Sequence, residues 1–156
     1  MTQVRMVLAR VVLVAVAMVF AGSGVAAAQD ARAAQQVKLR QSAYTVLGAQ
    51  MGLMGAQASG RAPFDAKTFA AAAERAAFMA NYVPELFPAG SITPNSEAKP
   101  EIWQQQAEFQ RLMRDMQSKA ANLATVARGG DLEAIKPAFG ATGASCKACH
   151  DKYKAD

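Results

Sequence analysis

The chain reads DLEAIKPAFGATGASCKACHDKY from Asp131 to Tyr153. Within it, residues recur at alternating steps of three and four: Leu132, Ile135, Phe139, Thr142, Cys146, Cys149 and Tyr153. This spacing predicts one amphipathic helix, with Asp131 as its N-cap and both cysteines on the inward face. Pro137 interrupts the pattern early, so we expect either a separate first turn or a kink.

The five residues Cys146-Lys147-Ala148-Cys149-His150 follow the Cys-x-x-Cys-His pattern, which is the attachment signature of c-type haem. Two thiols three residues apart on one helical turn can add to the two vinyl groups of a haem. The next residue, His150, then presents an imidazole to the iron, and it is the single histidine of the 156 residues. The motif therefore predicts one covalently attached haem c, held by Cys146 and Cys149 and ligated by His150.

Other chemistries also use a pair of cysteines at this spacing. A zinc site needs further cysteine or histidine ligands, and His150 alone remains to supply one. A thioredoxin-like dithiol is typical of a βαβ pattern, and the sequence shows no such alternation. A structural disulfide or a plain dithiol stays as the alternative.

The N-terminus has the pattern of a secretory signal peptide. Arg5 and Arg10 precede an apolar stretch from Val11 to Phe20, and a run of small residues ends at Ala28. We predict that residues 1–28 are removed and that the protein is exported to a bacterial periplasm. The alternative is a membrane anchor, but the apolar stretch is shorter than the ~20 residues that span a bilayer, so we expect no membrane association after cleavage.

Residues 29–156 are enough for one domain with a single core. The formal charge of +5 falls to +3 without Arg5 and Arg10, and to about +1 with two haem propionates. The basic residues are scattered, so this charge does not favour a nucleic-acid partner. No acid–base pair or nucleophile stands out beyond the haem motif, so we do not expect an enzyme.

Three further segments show the spacing of a helix face. The first contains Val37, Arg40, Tyr44, Leu47, Met51 and Met54; the second contains Phe69, Ala72, Ala76, Met79 and Val83; the third contains Ile102, Phe109, Met113, Met116, Ala120, Leu123 and Ala127. Asp65 can cap the second helix, which stops before Pro84, and Gly129-Gly130 can end the third. The proline-rich segment 84–100 is the expected crossover between two helix pairs. We therefore predict an all-α fold, an antiparallel four-helix bundle, although spacing alone does not exclude another arrangement of the helices.

Arg40 conflicts with its own helix face, where an apolar side chain is expected. An inward guanidinium needs an anion to offset its desolvation, and a haem propionate is a candidate. The alternative is that Arg40 reaches solvent at the rim of the bundle.

The second axial side of the iron has no histidine to fill it. Methionine or lysine would be the source of a sixth ligand, and helical spacing does not choose among five methionines: Met51, Met54, Met79, Met113 and Met116.

The arrangement resembles the cytochrome c′ family over essentially the whole predicted mature chain. Three stretches carry the resemblance: Arg40-Gln41-Ser42-Ala43, Ala98-Lys99-Pro100-Glu101-Ile102-Trp103 and Gly143-Ala144-Ser145-Cys146-Lys147-Ala148-Cys149-His150-Asp151. The resemblance implies that Cys146 and Cys149 hold the haem and that His150 binds the iron. It further implies haem contacts for Arg40, Gln41 and Glu97.

Tyr44 matches the family position that covers the distal face, where related low-spin bundle cytochromes carry an iron-ligating methionine. The resemblance therefore implies a five-coordinate, high-spin haem. Many family members have an arginine shortly after the histidine, and this chain has Lys154 there.

Members of the family are linked with binding of nitric oxide and carbon monoxide, with electron transfer, and with homodimers formed through the first two helices. A gas-binding protein is thus the expected function. The alternative is an electron carrier that docks a redox partner protein through a lysine patch, formed by Lys147, Lys152 and Lys154.

Overall fold

The computed structural model describes the backbone of residues 2–155 and the side chains of residues 26–155. It contains helices α1 (Thr2–Ala58), α2 (Ala66–Tyr82), α3 (Glu101–Gln104), α4 (Gln106–Ala127) and α5 (Leu132–Tyr153). A 3-10 helix, Val83–Leu86, follows α2. The four long helices α1, α2, α4 and α5 form an antiparallel four-helix bundle, as predicted. Consecutive long helices pack against each other, and α1 packs against α5 to close the bundle.

The predicted signal peptide lies almost entirely where side chains are not described, and its removal stays a prediction. Over the part of the chain whose side chains are described, none of the helices has an apolar run of the length needed to span a bilayer.

The predicted helix ends are confirmed where side chains or glycines define them. Asp65 Oδ1 accepts a hydrogen bond from the Thr68 backbone N–H at 2.6 Å, and Asp131 Oδ1 accepts one from Glu133 N–H at 3.0 Å. Each aspartate thus satisfies an amide that has no partner inside its helix. Gly130 follows α4 with φ of +70°, a left-handed conformation that glycine adopts without steric cost.

Two details of the helices differ from the sequence prediction. The predicted third helix is broken at Gln105, whose φ and ψ of −114° and 44° separate α3 from α4. Ile102 and Phe109 are seven residues apart, so both face inward on either side of the break and the spacing conceals it. Helix α5, in contrast, is continuous through Pro137. A proline in the second turn of a helix removes a single hydrogen bond, here to an exposed part of the first turn.

One end of the bundle is tightly packed, and we call it the closed end. Its core contains Met54, Phe69, Leu123 and Ile135, none of which is exposed to solvent. Phe69 also contacts the rings of Phe64 and Phe139. Helix α2 approaches its neighbours through small side chains, which are Ala72, Ala73, Ala76 and Ala80.

Candidate haem site

The other end of the bundle encloses a cavity of about 740 Å³, and we call it the cavity end. Its walls come from α1, α4, α5 and the segment 87–102, whereas α2 contributes no lining residue. The volume lies within the ~300–1,000 Å³ of pockets that bury small molecules and cofactors. All seven predicted site residues line this one cavity: Arg40, Gln41, Tyr44, Glu97, Cys146, Cys149 and His150.

Helix α5 brings the two thiols to the cavity one turn apart. Burial raises the pKa of Cys146, and burial together with Cys146 raises the pKa of Cys149 to about 11. Both thiols are therefore protonated at neutral pH. The reactive cysteine of a Cys-x-x-Cys oxidoreductase has a lowered pKa instead, so the environment argues against the redox dithiol that the motif left open.

The wall beside the thiols is open because one turn earlier the helix carries Gly143. Apart from its own helical turn, no atom lies within 4 Å of the position that a Cβ of Gly143 would occupy. The absent side chain thus leaves space on the cavity side of α5.

His150 faces Tyr44 across the cavity, with 6.5 Å between the ring centroids and 70° between the ring planes. Burial and the neighbouring ammonium of Lys154 lower the pKa of His150, although Asp151 and Glu97 act in the opposite direction. Neutral imidazole is the form that binds a metal. Burial also raises the pKa of Tyr44, so its hydroxyl stays un-ionised.

The turn that carries His150 is fixed to the segment before α3 by backbone pairing. Lys99 N–H donates to the Tyr153 carbonyl at 2.9 Å, and Ala155 N–H donates to the Glu97 carbonyl at 2.7 Å. The Glu97 carboxylate also forms an ion pair with Lys154, with 3.2 Å between Nζ and Oε2. Glu97 thus lies at the cavity rim with a lysine partner, while its contact with haem stays a prediction.

Arg40 points inward and is only 4% exposed, so the alternative that it reaches solvent is wrong. Its guanidinium lies 4.7 Å from the ring centroid of Phe87. Its hydrogen bonds go to Leu86, Ser91 and Ser96, all of them uncharged acceptors. Burial lowers the pKa of Arg40. The neighbouring Gln41 donates through Nε2 to the Asn95 carbonyl at 3.1 Å.

Sequence reasoning missed the residues that meet Arg40 in the irregular segment 87–100, which lies between the 3-10 helix and α3. Ser91 and Ser96 lie in a stretch without periodicity, so no pattern marked them. Phe87 stands between two prolines, where its direction was equally undetermined. The Trp103 indole N–H donates to the Pro88 carbonyl at 3.1 Å and ties this segment to α3.

The residues present fit a covalently attached haem. Two thiols, one uncharged imidazole and one buried guanidinium open onto a single, mainly apolar cavity. These groups suit the vinyl groups, the iron and a propionate of a haem, respectively.

The lysines near the site have carboxylate partners. Lys147 pairs with Asp151 at 2.6 Å, and Lys152 pairs with Glu108 at 2.8 Å. Lys154 pairs with Glu97, as described above. The three lysines of the predicted docking patch thus present less positive charge than the sequence suggested.

Comparison with known proteins agrees with this geometry. The profile of the family described as Cytochrome C′ matches residues 35–154. A cytochrome c′ of Alcaligenes xylosoxydans xylosoxydans is 37% identical over 126 residues, which are 81% of this chain and 98% of that protein.

Solved structures are similar over the same region. Cytochrome c prime from Shewanella frigidimarina superposes with a TM-score of 0.77 at 41% identity, over 80% of this chain and 97% of that one. The nitric oxide complex of a variant of cytochrome c prime from Alcaligenes xylosoxidans superposes with a TM-score of 0.75 at 35% identity, over 80% and 97% of the two chains.

Proposed function

The chain belongs to the cytochrome c′ family, and we propose that it is a periplasmic protein that binds nitric oxide or carbon monoxide at a five-coordinate, high-spin haem. The family carries a covalently attached c-type haem. The observation that carries the proposal is the placement of Tyr44 opposite His150, the single histidine. A similar protein has been solved as a nitric oxide complex.

Within this proposal, each residue has a defined task. The Cys146 and Cys149 thiols would hold the haem, each adding its sulfur and hydrogen across one vinyl double bond to form a thioether. His150 would bind the iron through a ring nitrogen, and its lowered pKa keeps that nitrogen unprotonated. The haem iron, when bound, supplies the site at which a diatomic gas is held.

Tyr44 is proposed to cover the opposite face without ligating the iron. A tyrosine ligand binds as the phenolate, and burial raises the pKa of Tyr44, which opposes that form. The apolar surroundings favour a small neutral gas over an anion. Met51, Met113 and Met116 also line the cavity and are the methionines to consider as an internal sixth ligand.

The test is the optical spectrum of the purified, reduced protein before and after addition of carbon monoxide and nitric oxide. A high-spin spectrum that shifts with each gas supports the proposal. A low-spin spectrum that does not change with either gas contradicts the proposal. Such a spectrum indicates an internal sixth ligand and makes electron transfer the leading function.

We further propose a homodimer formed through the first two helices. On α1, Leu39, Val46 and Leu53 recur at steps of seven and are each more than a third exposed. On α2, Phe78 is 70% exposed and Tyr82 lies one turn further on. Apolar side chains that share a helix face in this way are typical of helix–helix interfaces.

Sedimentation velocity tests the dimer. Val46→Glu and Phe78→Glu are each expected to give monomers, because a buried unpaired carboxylate opposes association. Ile92→Glu is the matched control, since Ile92 is an exposed apolar residue that belongs to neither of these two helices. A wild-type monomer, or dimers that survive both substitutions, would contradict the interface.

The alternative function, an electron carrier with a redox partner, gains no support from the lysine patch. Each of its lysines has a carboxylate partner, and this reduces the positive charge that the patch offers to a partner protein.

A further inference from the structure

We propose that Ser91 and Ser96 are positioning residues, which hold the Arg40 guanidinium at the haem cavity. Neither serine belongs to a helix or carries a predicted role. The inference rests on the proposed haem, because a guanidinium that faces the cavity has a task there only if the occupant carries carboxylates.

The geometry of the guanidinium is set by the irregular segment. Arg40 Nη1 donates to the Leu86 carbonyl at 3.0 Å and to Ser91 Oγ at 2.7 Å. Arg40 Nη2 donates to the Ser91 carbonyl and, at 3.3 Å, to Ser96 Oγ. One of these four contacts goes to the last residue of the 3-10 helix, and the other three go to the two serines of the irregular segment.

Each serine is itself held in place. Ser91 is 2% exposed, and its hydroxyl donates to the Pro88 carbonyl at 2.6 Å while it accepts from Arg40. The Ser96 hydroxyl accepts from Ala98 N–H at 3.1 Å. Ala98 in turn forms the antiparallel bridge with Lys154, four residues after His150. Ser96 therefore connects Arg40 on α1 to the backbone that fixes the His150 turn, and Ser91 connects it to Pro88.

The serines orient the cation without neutralising it. Among the residues whose side chains are described, Arg40 forms no ion pair. A buried cation with uncharged partners retains its attraction for an anion. An aspartate at either serine position would satisfy the same N–H groups but would cancel that attraction. The choice of hydroxyl groups is thus consistent with an anion that comes from the cavity, as a haem propionate would.

A double-mutant cycle tests whether the serines act through Arg40. The variants are Arg40→Gln, Ser91→Ala and the double variant, each as haem-loaded protein, and the readout is the reduction potential. Arg40→Gln is expected to lower the potential, because a nearby cation disfavours the ferric state. Ser91→Ala should shift it in the same direction by a smaller amount, and should have no effect in the Arg40→Gln background.

Rescue and controls separate positioning from general stability. Ser91→Thr keeps the hydroxyl and is expected to restore the wild-type potential. Ser59→Ala removes a hydroxyl that bonds to the Gly55 carbonyl at the exposed end of α1, and should leave the potential unchanged. If Arg40→Gln does not fold, Arg40→Lys replaces it, because lysine keeps the charge but not the fork of donors.

Two results would overturn the inference. One is a Ser91→Ala protein whose potential is unchanged while its stability falls, since the serine would then be structural only. The other is a shift of the reduction potential by Ser91→Ala that is equally large in the wild-type and in the Arg40→Gln background. Nitric oxide binding by the same variants is measured separately, so gas binding can persist when the serine role fails and the two proposals remain distinguishable.

Discussion

Helices α1, α4 and α5 contribute to both the closed end and the cavity end of the bundle, but the two ends are packed differently. Helix α5 contributes Ile135 to the fully buried core of the closed end. The same face of α5 contributes Cys149, near the other end of the helix, to the cavity wall. Helix α4 likewise contributes Leu123 to the closed end and Met113 to the cavity. The helical spacing is identical at both ends.

The two ends differ in packing because different residues lie opposite these inward helix faces. At the closed end, the alanines of α2 and the ring of Phe69 let the helices approach until no space remains. At the cavity end, α2 contributes no lining residue, and the irregular segment 87–100 and the start of α3 form part of the wall. Inward orientation therefore does not by itself mean a filled core, and the space that is left is where a cofactor belongs.

The largest effect is expected when the cofactor attachment is removed from the cavity end. Cys146→Ala/Cys149→Ala should abolish covalently bound haem completely, because neither thioether can form. Haem staining after denaturation measures this directly. Amide hydrogen exchange should then show lost protection at the cavity end, with the closed end still protected.

Lys147→Ala is the matched control, since it changes a residue between the two cysteines without removing a thiol. It should retain haem. Covalent haem in the double cysteine variant would contradict the assignment of the site.

Truncations of core residues should next separate the two ends. Leu123→Ala opens a void in the closed end and should lower the free energy of unfolding by about 2–5 kcal/mol. In the haem-free protein, Met113→Ala should cost less than Leu123→Ala, because it enlarges a space that already exists. Urea denaturation of the haem-free protein measures both. Equal costs would contradict the distinction between a filled and an open end.

A smaller effect is expected from the residue that covers the proposed gas site. Tyr44→Ala should raise the rate at which the reduced protein binds carbon monoxide by roughly tenfold, or ~1.4 kcal/mol, because the ring no longer has to move. Tyr44→Phe keeps the ring and is the matched control, with a rate near that of wild type. Flash photolysis measures the rates, and an unchanged rate for Tyr44→Ala would show that Tyr44 does not cover the site.

The smallest effect concerns an ion-pair cluster that joins α4 to α5 beside the cavity. Hydrogen bonds from Arg111 and Lys152 lower the pKa of Glu108 from its ordinary 4.5 to about 2. A carboxyl with a lowered pKa stabilises the fold above its ordinary value, and this contribution disappears as the pH falls from about 4.5 to about 2. Glu108→Gln should therefore reduce the melting temperature at pH 7 more than near pH 2.

Glu133→Gln is the matched control, because the ion pair of Glu133 with Lys136 lies within one helix. A difference between wild type and Glu108→Gln that does not change with pH would contradict the role of this ion-pair cluster.

Much of the fold was predictable because helical spacing and caps act over a few residues. Asp65 and Asp131 were identified as caps from their positions alone, and both accept the expected backbone hydrogen bonds. The break at Gln105 was not predictable, because Ile102 and Phe109 keep the same spacing across it. Pro137 was expected to disturb α5, but its position in the second turn limited the loss to one hydrogen bond.

By itself, the sequence determined the haem motif, the inward faces of four helices and the presence of a charged residue, Arg40, on one of these apolar faces. These are local properties, since they depend on residue types and on spacing along one helix. The tertiary structure alone decided that the inward faces leave a cavity at one end, that Lys152 and Lys154 meet Glu108 and Glu97, and that Ser91 and Ser96 hold Arg40. Such contacts join residues 44 or more positions apart, and the packing of helices, not the period within one, determines which of them meet.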